Sequence, residues 1–265
     1  NSIASNTTAA QRTDGAYGVT FNSNGFTSTG GNLNVNGREQ VSWTFRKQPK
    51  FFDVVTYTGN GTAGRTISHN LGSVPGMIII KCTNQTENWL VYHRGSNSSP
   101  EDYYLELNST GAASSGSYWD NTLPTSTEFT IGGNSGPINQ TTGTYVAYLF
   151  AHNNNDGGFG PDSEDIIKCG SYTGNNSTTG PVINLGFEPQ FVMVKRTDSA
   201  DEWFVYDVMR EFDYTTTGRL SWDASSAESD SLSVVPTPTG FQPVIAHGSV
   251  NASGGTYIYM AIRRG

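Results

Sequence analysis

Tyr57-Thr58-Gly59-Asn60 recurs downstream as Tyr172-Thr173-Gly174-Asn175, and the rest of the chain can be read outward from this pair. Leu71-Gly72 with Pro75 returns as Leu185-Gly186 with Pro189. Met77 to Lys81 matches Phe191 to Lys195, and Trp89-Leu90-Val91-Tyr92 matches Trp203-Phe204-Val205-Tyr206. Gly143-Thr144-Tyr145-Val146-Ala147-Tyr148 is echoed by Gly255-Thr256-Tyr257-Ile258-Tyr259-Met260. Identical order with small, drifting offsets marks the duplication of one folding unit.

A partial copy stands in front. Gln40-Val41-Ser42-Trp43-Thr44-Phe45 has the pattern of Tyr145 to Phe150, and Asn24-Gly25-Phe26-Thr27 resembles Glu128-Phe129-Thr130 and Gly240-Phe241. Residues from about Tyr17 to Lys47 are therefore expected to be the closing strands of a preceding unit, and a start at Asn1 rather than Met reads as a fragment or a processed product. A lone strand pair is only marginally stable in water, so these strands need a partner.

Within the first full copy, runs suited to strands are Phe52 to Thr58, Arg65 to His69, Met77 to Thr83, Trp89 to His93, Tyr103 to Leu107, Glu128 to Ile131 and Tyr145 to Ala151. They are rich in branched and aromatic residues and separated by turn signals such as Gly59-Asn60-Gly61 and Val74-Pro75-Gly76. Met77 to Ile80 is continuously apolar, as a strand covered on both faces requires. No stretch sustains a 3.6-residue apolar period. The expected fold is all-β: tandem β-sandwich, jelly-roll-like units, two full copies plus the closing strands of a preceding one. The boundaries run 1–50 for the leading strands, 51–153 for the first unit, 154–164 for a turn-rich connector and 165–265 for the second unit.

Composition narrows the function. Among 265 residues only 14% are charged and the net charge is −8, with the basic residues scattered, so no phosphate-tracking surface is expected and no nucleic-acid partner. No apolar run is long enough to insert in a bilayer as a helix. Cys82 and Cys169 fall in different repeats opposite Arg196 and Val54, which predicts two free thiols rather than a duplicated disulfide.

Taken together, Val41-Ser42-Trp43-Thr44-Phe45-Arg46-Lys47, Ile67-Ser68-His69-Asn70-Leu71-Gly72-Ser73-Val74-Pro75-Gly76, Trp89-Leu90-Val91-Tyr92-His93-Arg94, Tyr145 to His152 and Tyr257 to Arg264 resemble a family of repeated β domains in structural proteins of marine bacterial viruses, including those of cyanobacteria. The resemblance implies a virion component of tail-fibre, tail-associated or capsid-fibre type, used in assembly or host attachment, in contact with other virion proteins. It supplies no catalytic residues. A homo-oligomer such as a trimer is the expected state, because exposed sheet edges invite self-pairing.

Candidate chemistry is sparse. The histidines do not persist between copies, no His-x-x-x-His or Cys-x-x-Cys occurs, and neither a metal nor a cofactor is expected. Glu101-Asp102, Asp201-Glu202 and Glu211 with Asp213 are the carboxylate pairs a glycosidase would need, but all sit in polar turns where a solvated charge suffices. The acidic connector residues Asp156, Asp162, Glu164 and Asp165 lack the order of a helix-loop-helix calcium site, and a solvated linker is the simpler reading. For Trp89 and Trp203, duplication favours a core role. Trp119 has no Trp counterpart, and Tyr118-Trp119-Asp120 is the expected ligand contact, with aromatic faces for a sugar ring and a polar neighbour for its hydroxyl groups. The expected protein is thus a non-enzymatic virion or extracellular structural protein that contacts a host-surface glycan. A secreted carbohydrate-binding module from a marine bacterium is the second reading and a polysaccharide-degrading enzyme the third.

Overall fold

The computed structural model describes residues 1–210, 212–214, 218–230 and 232–264. A leading hairpin consists of β1 (Val19–Asn22) and β2 (Gly25–Ser28). The first unit contains β3 (Phe52–Thr58), β4 (Arg65–Ser68), β5 (Pro75–Cys82), β6 (Trp89–His93), β7 (Tyr103–Glu106), β8 (Ser114–Ser115), β9 (Glu128–Ile131) and β10 (Thr144–Ala151). The second contains β11 (Ile167–Thr173), β12 (Ile183–Asn184), β13 (Pro189–Arg196), β14 (Trp203–Asp207), β15 (Gly218–Ser221), β16 (Ser229–Asp230), β17 (Val234–Thr237), β18 (Gly240–Pro243) and β19 (Thr256–Arg263). The fold is all-β, built of antiparallel sheets with no closed barrel among the described residues. No helix among them is long and apolar enough to cross a membrane.

Each unit has one large and one small layer. The large sheets run β3-β10-β5-β6-β7-β8 and β11-β19-β13-β14-β15-β16, the same order strand for strand. The small ones are β4-β9 and β12-β18-β17. In both units the closing strand, β10 or β19, inserts between the first strand and the central one. Tyr57 stacks on Tyr145 at 5.0 Å, and Tyr172 on Tyr257 at 4.9 Å. From the small sheet, Phe241 meets Tyr172 and Tyr259 edge-on, and Phe129 and Ile131 are likewise buried. In the second unit this front face forms an apolar cluster of its own, whereas in the first it is continuous with the apolar residues between the units.

The backs of the two large sheets pack on one another. Alternating apolar residues of β11, β13, β14 and β19, including Cys169, Met193, Val205 and Met260, belong to one apolar cluster with Met77, Ile79, Val91 and Leu105 of the first unit. That is why β5 is buried along its whole length, as its unbroken apolar run demands. Close approach at this seam requires Gly76, where a Cβ would stand 2.6 Å from that of Cys169.

Polar side chains also cross the seam. Lys195, 0% exposed in a largely apolar strand, donates through Nζ to the carbonyls of Thr110 and Asp201, and Trp203 Nε1 donates to Glu106 O at 3.0 Å. Burial pulls the Lys195 pKa down to about 8, so its ammonium, still charged near neutrality, depends on those carbonyls. His93, also 0% exposed, lies 3.0 Å from Tyr259 O through Nε2 and accepts Gly95 N–H at Nδ1, an arrangement satisfied by the neutral Nε2–H ring.

The leading residues wrap the first unit. Val41, Trp43 and Phe45 turn inward while Ser42 and Thr44 are exposed. This segment has the alternation of a strand but joins no sheet. Phe45 packs on Phe52 and Phe150, whereas Trp43 packs on Phe191 and Trp222 of the second unit. The strand-like pattern read from the sequence is therefore held by side chains rather than by a ladder. The connector is anchored as well: the Asp165 carboxylate accepts from the backbone N–H groups of Asn155, Asp156 and Gly157 and pairs with Lys168 at 3.3 Å.

Candidate functional site

Tyr118 and Trp119 lie in a one-turn 3-10 helix, Ser117–Trp119, ended by Asp120 in the left-handed region at φ 51°, a conformation Asp tolerates better than most residues. The turn is clamped to the end of β9 by the Gly132 N–H, which donates to Tyr118 O at 2.8 Å. Only glycine fits there, because a Cβ at position 132 would stand 2.2 Å from Ser117 O.

The three expected contact residues then separate. Trp119 is 2% exposed, meets Tyr92 edge-on at 5.6 Å and donates through Nε1 to Tyr103 O at 2.9 Å. Its ring belongs to the front core of the first unit and offers no face to a ligand. Tyr118 is half-buried and meets Tyr104 at 4.7 Å with the rings 80° apart. The two tyrosines wall a cleft of about 420 Å³, completed by Ser115, Ser117, Asn134 and the backbone at Gly132 and Gly133. Two crossed aromatic faces beside amide, hydroxyl and backbone polar groups form a surface that can stack a sugar ring and hydrogen-bond its hydroxyls. Asp120 is not among the residues lining the cleft. Tyr104, the missed member, stands opposite Arg219 in the second copy, a difference visible once the copies are aligned.

What the copies share is scaffold. Asn139 and Asn251, both 0% exposed, occupy matching places: each accepts a backbone N–H at Oδ1, from Asn60 and Asn175, and each donates through Nδ2 to backbone carbonyls.

A family model described as a domain of unknown function, DUF7483, matches residues 1–264. The chain belongs to the DUF7483 family. No curated protein and no solved structure matches it. The DUF7483 match takes in the leading residues as well as both units, so the repeat and the segment ahead of it belong to one family pattern.

Elsewhere in this DUF7483 chain several of the carboxylates singled out from the sequence have places and partners of their own. Glu101 and Asp102 lie on a 3-10 turn, and Glu202 accepts the Ser221 hydroxyl at 2.7 Å. Glu211 lies outside the described residues. Of the acidic connector, Glu164 pairs with Arg263 at 2.7 Å, and Asp165 serves the turn described above. Although burial opposes it, the backbone donors and Lys168 hold the Asp165 carboxyl below its ordinary pKa. Among the described residues no three His, Cys, Asp or Glu side chains converge in a way that could hold a metal ion. Cys82 and Cys169 are free and buried, and burial pushes the Cys169 thiol up to about 12.

Proposed function

We propose that this chain is a non-enzymatic structural and attachment component of a bacterial-virus particle, of tail-fibre or capsid-fibre type. In this reading it is exposed at the virion surface, self-associates, and meets a host-surface glycan. The observation that carries the reading is the contrast between copies. Core tyrosines, buried asparagines and seam residues repeat, whereas the Tyr104 that walls the cleft is specific to the first copy, Arg219 standing in its place in the second. A repeated scaffold with a copy-specific surface suits a protein that holds position and makes contact, and the family resemblance supplies the virion setting.

The cleft also favours a second reading, a secreted carbohydrate-binding module, which shares the glycan contact but not the particle. Labelled chain applied to marine cyanobacterial cells and to a glycan array tests the shared part. Tyr118→Ala is expected to weaken binding about 2- to 12-fold, the worth of one aromatic contact of roughly 0.5–1.5 kcal/mol. Immunodetection in purified virions separates the two readings. A chain that binds no cells and is absent from particles defeats the proposal, and release of reducing sugar from host polysaccharide would make it an enzyme.

A further inference from the structure

We infer that residues 1–47 are the second half of a third unit, and that the faces they leave open form a docking surface for the first half of such a unit: four antiparallel strands equivalent to β3–β6, joined ahead of Asn1. The inference rests on the packing of this chain and is independent of the attachment reading.

The contacts of residues 1–12 on the first unit reproduce those of residues 103–114 on the second. Trp89 Nε1 donates to Ala4 O at 3.0 Å as Trp203 Nε1 donates to Glu106 O. Lys81 Nζ donates to Thr8 O at 2.9 Å as Lys195 Nζ donates to Thr110 O at 2.8 Å. Gln11 N donates to Thr83 O as Ala113 N donates to Thr197 O, and the antiparallel bridge Ser2↔Arg12 repeats as Tyr104↔Ser114. One shift carries every member of the docking segment (4 to 106, 8 to 110, 11 to 113), and another carries every member of the receiving sheet (89 to 203, 81 to 195, 83 to 197). The correspondence continues further along the chain. Gln48 N donates to Phe52 O as Asn153 N donates to Ile167 O. The β1–β2 hairpin pairs Phe21 with Phe26 and Asn22 with Gly25, as β17–β18 pairs Pro236 with Phe241 and Thr237 with Gly240.

Against this match, two faces are open. Phe129 and Phe241 are 1% and 0% exposed on the fronts of their large sheets, but Phe26 is 41% exposed and Phe21 76%. On the back of the first unit Val54 and Tyr148 are only partly buried, whereas their counterparts Cys169 and Met260 are 0% exposed, in the seam where β5 and β6 bring Gly76 and His93. A single occupant closes both. Strands equivalent to β3–β6 would cover the hairpin with their front and Val54 and Tyr148 with their back, and would flank the unpaired segment of Val41, Trp43 and Phe45, whose counterpart β10 lies between β3 and β5.

The unmodified chain gives the first test. By hydrogen exchange, Val19–Ser28 is expected to exchange roughly 100-fold or more faster than Glu128–Ile131 and Gly240–Pro243, as an uncovered hairpin does. Phe26→Asp is expected to leave Tm within about 2 °C, whereas Phe129→Asp unfolds its unit. Residues 51–102 are then fused directly ahead of Asn1, the counterpart of Tyr103, and the hairpin amides are expected to slow to the level of β9. The inference is overturned if Val19–Ser28 is already as protected as β9 in the unmodified chain, if Phe26→Asp and Phe129→Asp cost equally, or if a folded fusion leaves the hairpin exchange unchanged. A fusion that does not fold leaves the exchange and Phe26→Asp results to decide alone.

Discussion

Lowering the pH from 7 to about 4.5 should loosen the seam between the two units through His152 and the more deeply buried His93. The His93 ring is fully buried between the sheets, and burial lowers its pKa from 6.5 to about 3. The folded state therefore keeps it neutral while the unfolded chain takes up a proton below pH 6.5. Since the unfolded state binds more protons in this window, stability is complete above pH 6.5 and falls as the pH drops toward the folded-state value. At about pH 4.5, two units below the unfolded pKa and still above the folded one, the loss is about 2.7 kcal/mol at 1.36 kcal/mol per unit. His152, whose Nδ1 accepts the Cys169 N–H across the same seam, is lowered to about 4 by burial and by Arg94 and Lys168, so it acts in the same direction and contributes nearly as much at pH 4.5. The carboxylates held low, such as Asp53 and Asp165, contribute only below about pH 3.8. Urea unfolding followed by tryptophan fluorescence, at pH steps from 7.5 to 4.5 and constant salt, measures the slope. His93→Gln keeps a donor near Tyr259 O but does not titrate, and should remove about half of the slope that the two histidines produce. A wild-type stability flat over this range, or a slope unchanged in His93→Gln, refutes the reasoning.

Asn139→Ala strips three backbone partners from a buried site and should cost about 3 kcal/mol, read as a fall in urea midpoint, with Asn251→Ala costing a similar amount in the second unit. Gly132→Ala drives a Cβ against Ser117 O, so it should displace the turn carrying Tyr118 and abolish cleft binding while the second unit stays folded, as amide exchange across β11–β19 would show. Both thiols should resist a thiol reagent at pH 8 in the native protein and react fully in denaturant; fast native labelling of Cys169 would contradict its burial and raised pKa.

Much of the fold was legible because these strands are short and cleanly punctuated. Phe52–Thr58, Trp89–His93 and Glu128–Ile131 occupy the residues that their branched and aromatic content marks. Sheet order was not legible: nothing in the periodicity of Tyr145 to Ala151 says that this last strand enters the middle, since pairing is set by contacts far apart in sequence. Lys81 and Lys195 look like solvent-facing ends of apolar runs, and only the carbonyls of distant residues explain their burial. Trp119 in its polar turn looks like an exposed ligand contact, yet the turn folds it onto Tyr92, 27 residues back in the sequence. Residues 1–12 hid their relation to 103–114 because that docking runs largely through backbone carbonyls, which leave little trace in side-chain identity.

That the closing strand sits in the middle of each sheet bears on how the chain is made. On the ribosome β3 and β5 emerge with their facing edges bare, and β10 follows only about seventy residues after β5, roughly 4–14 s at ordinary elongation rates. A duplicated chain carries two such closing strands of similar sequence, Thr144–Ala151 and Thr256–Arg263, each a plausible guest in the other's gap. Vectorial synthesis delivers the first before the second exists, so the first unit closes on its own strand. Dilution from denaturant removes that ordering, and exchange of closing strands between units or between molecules becomes the characteristic error of refolding.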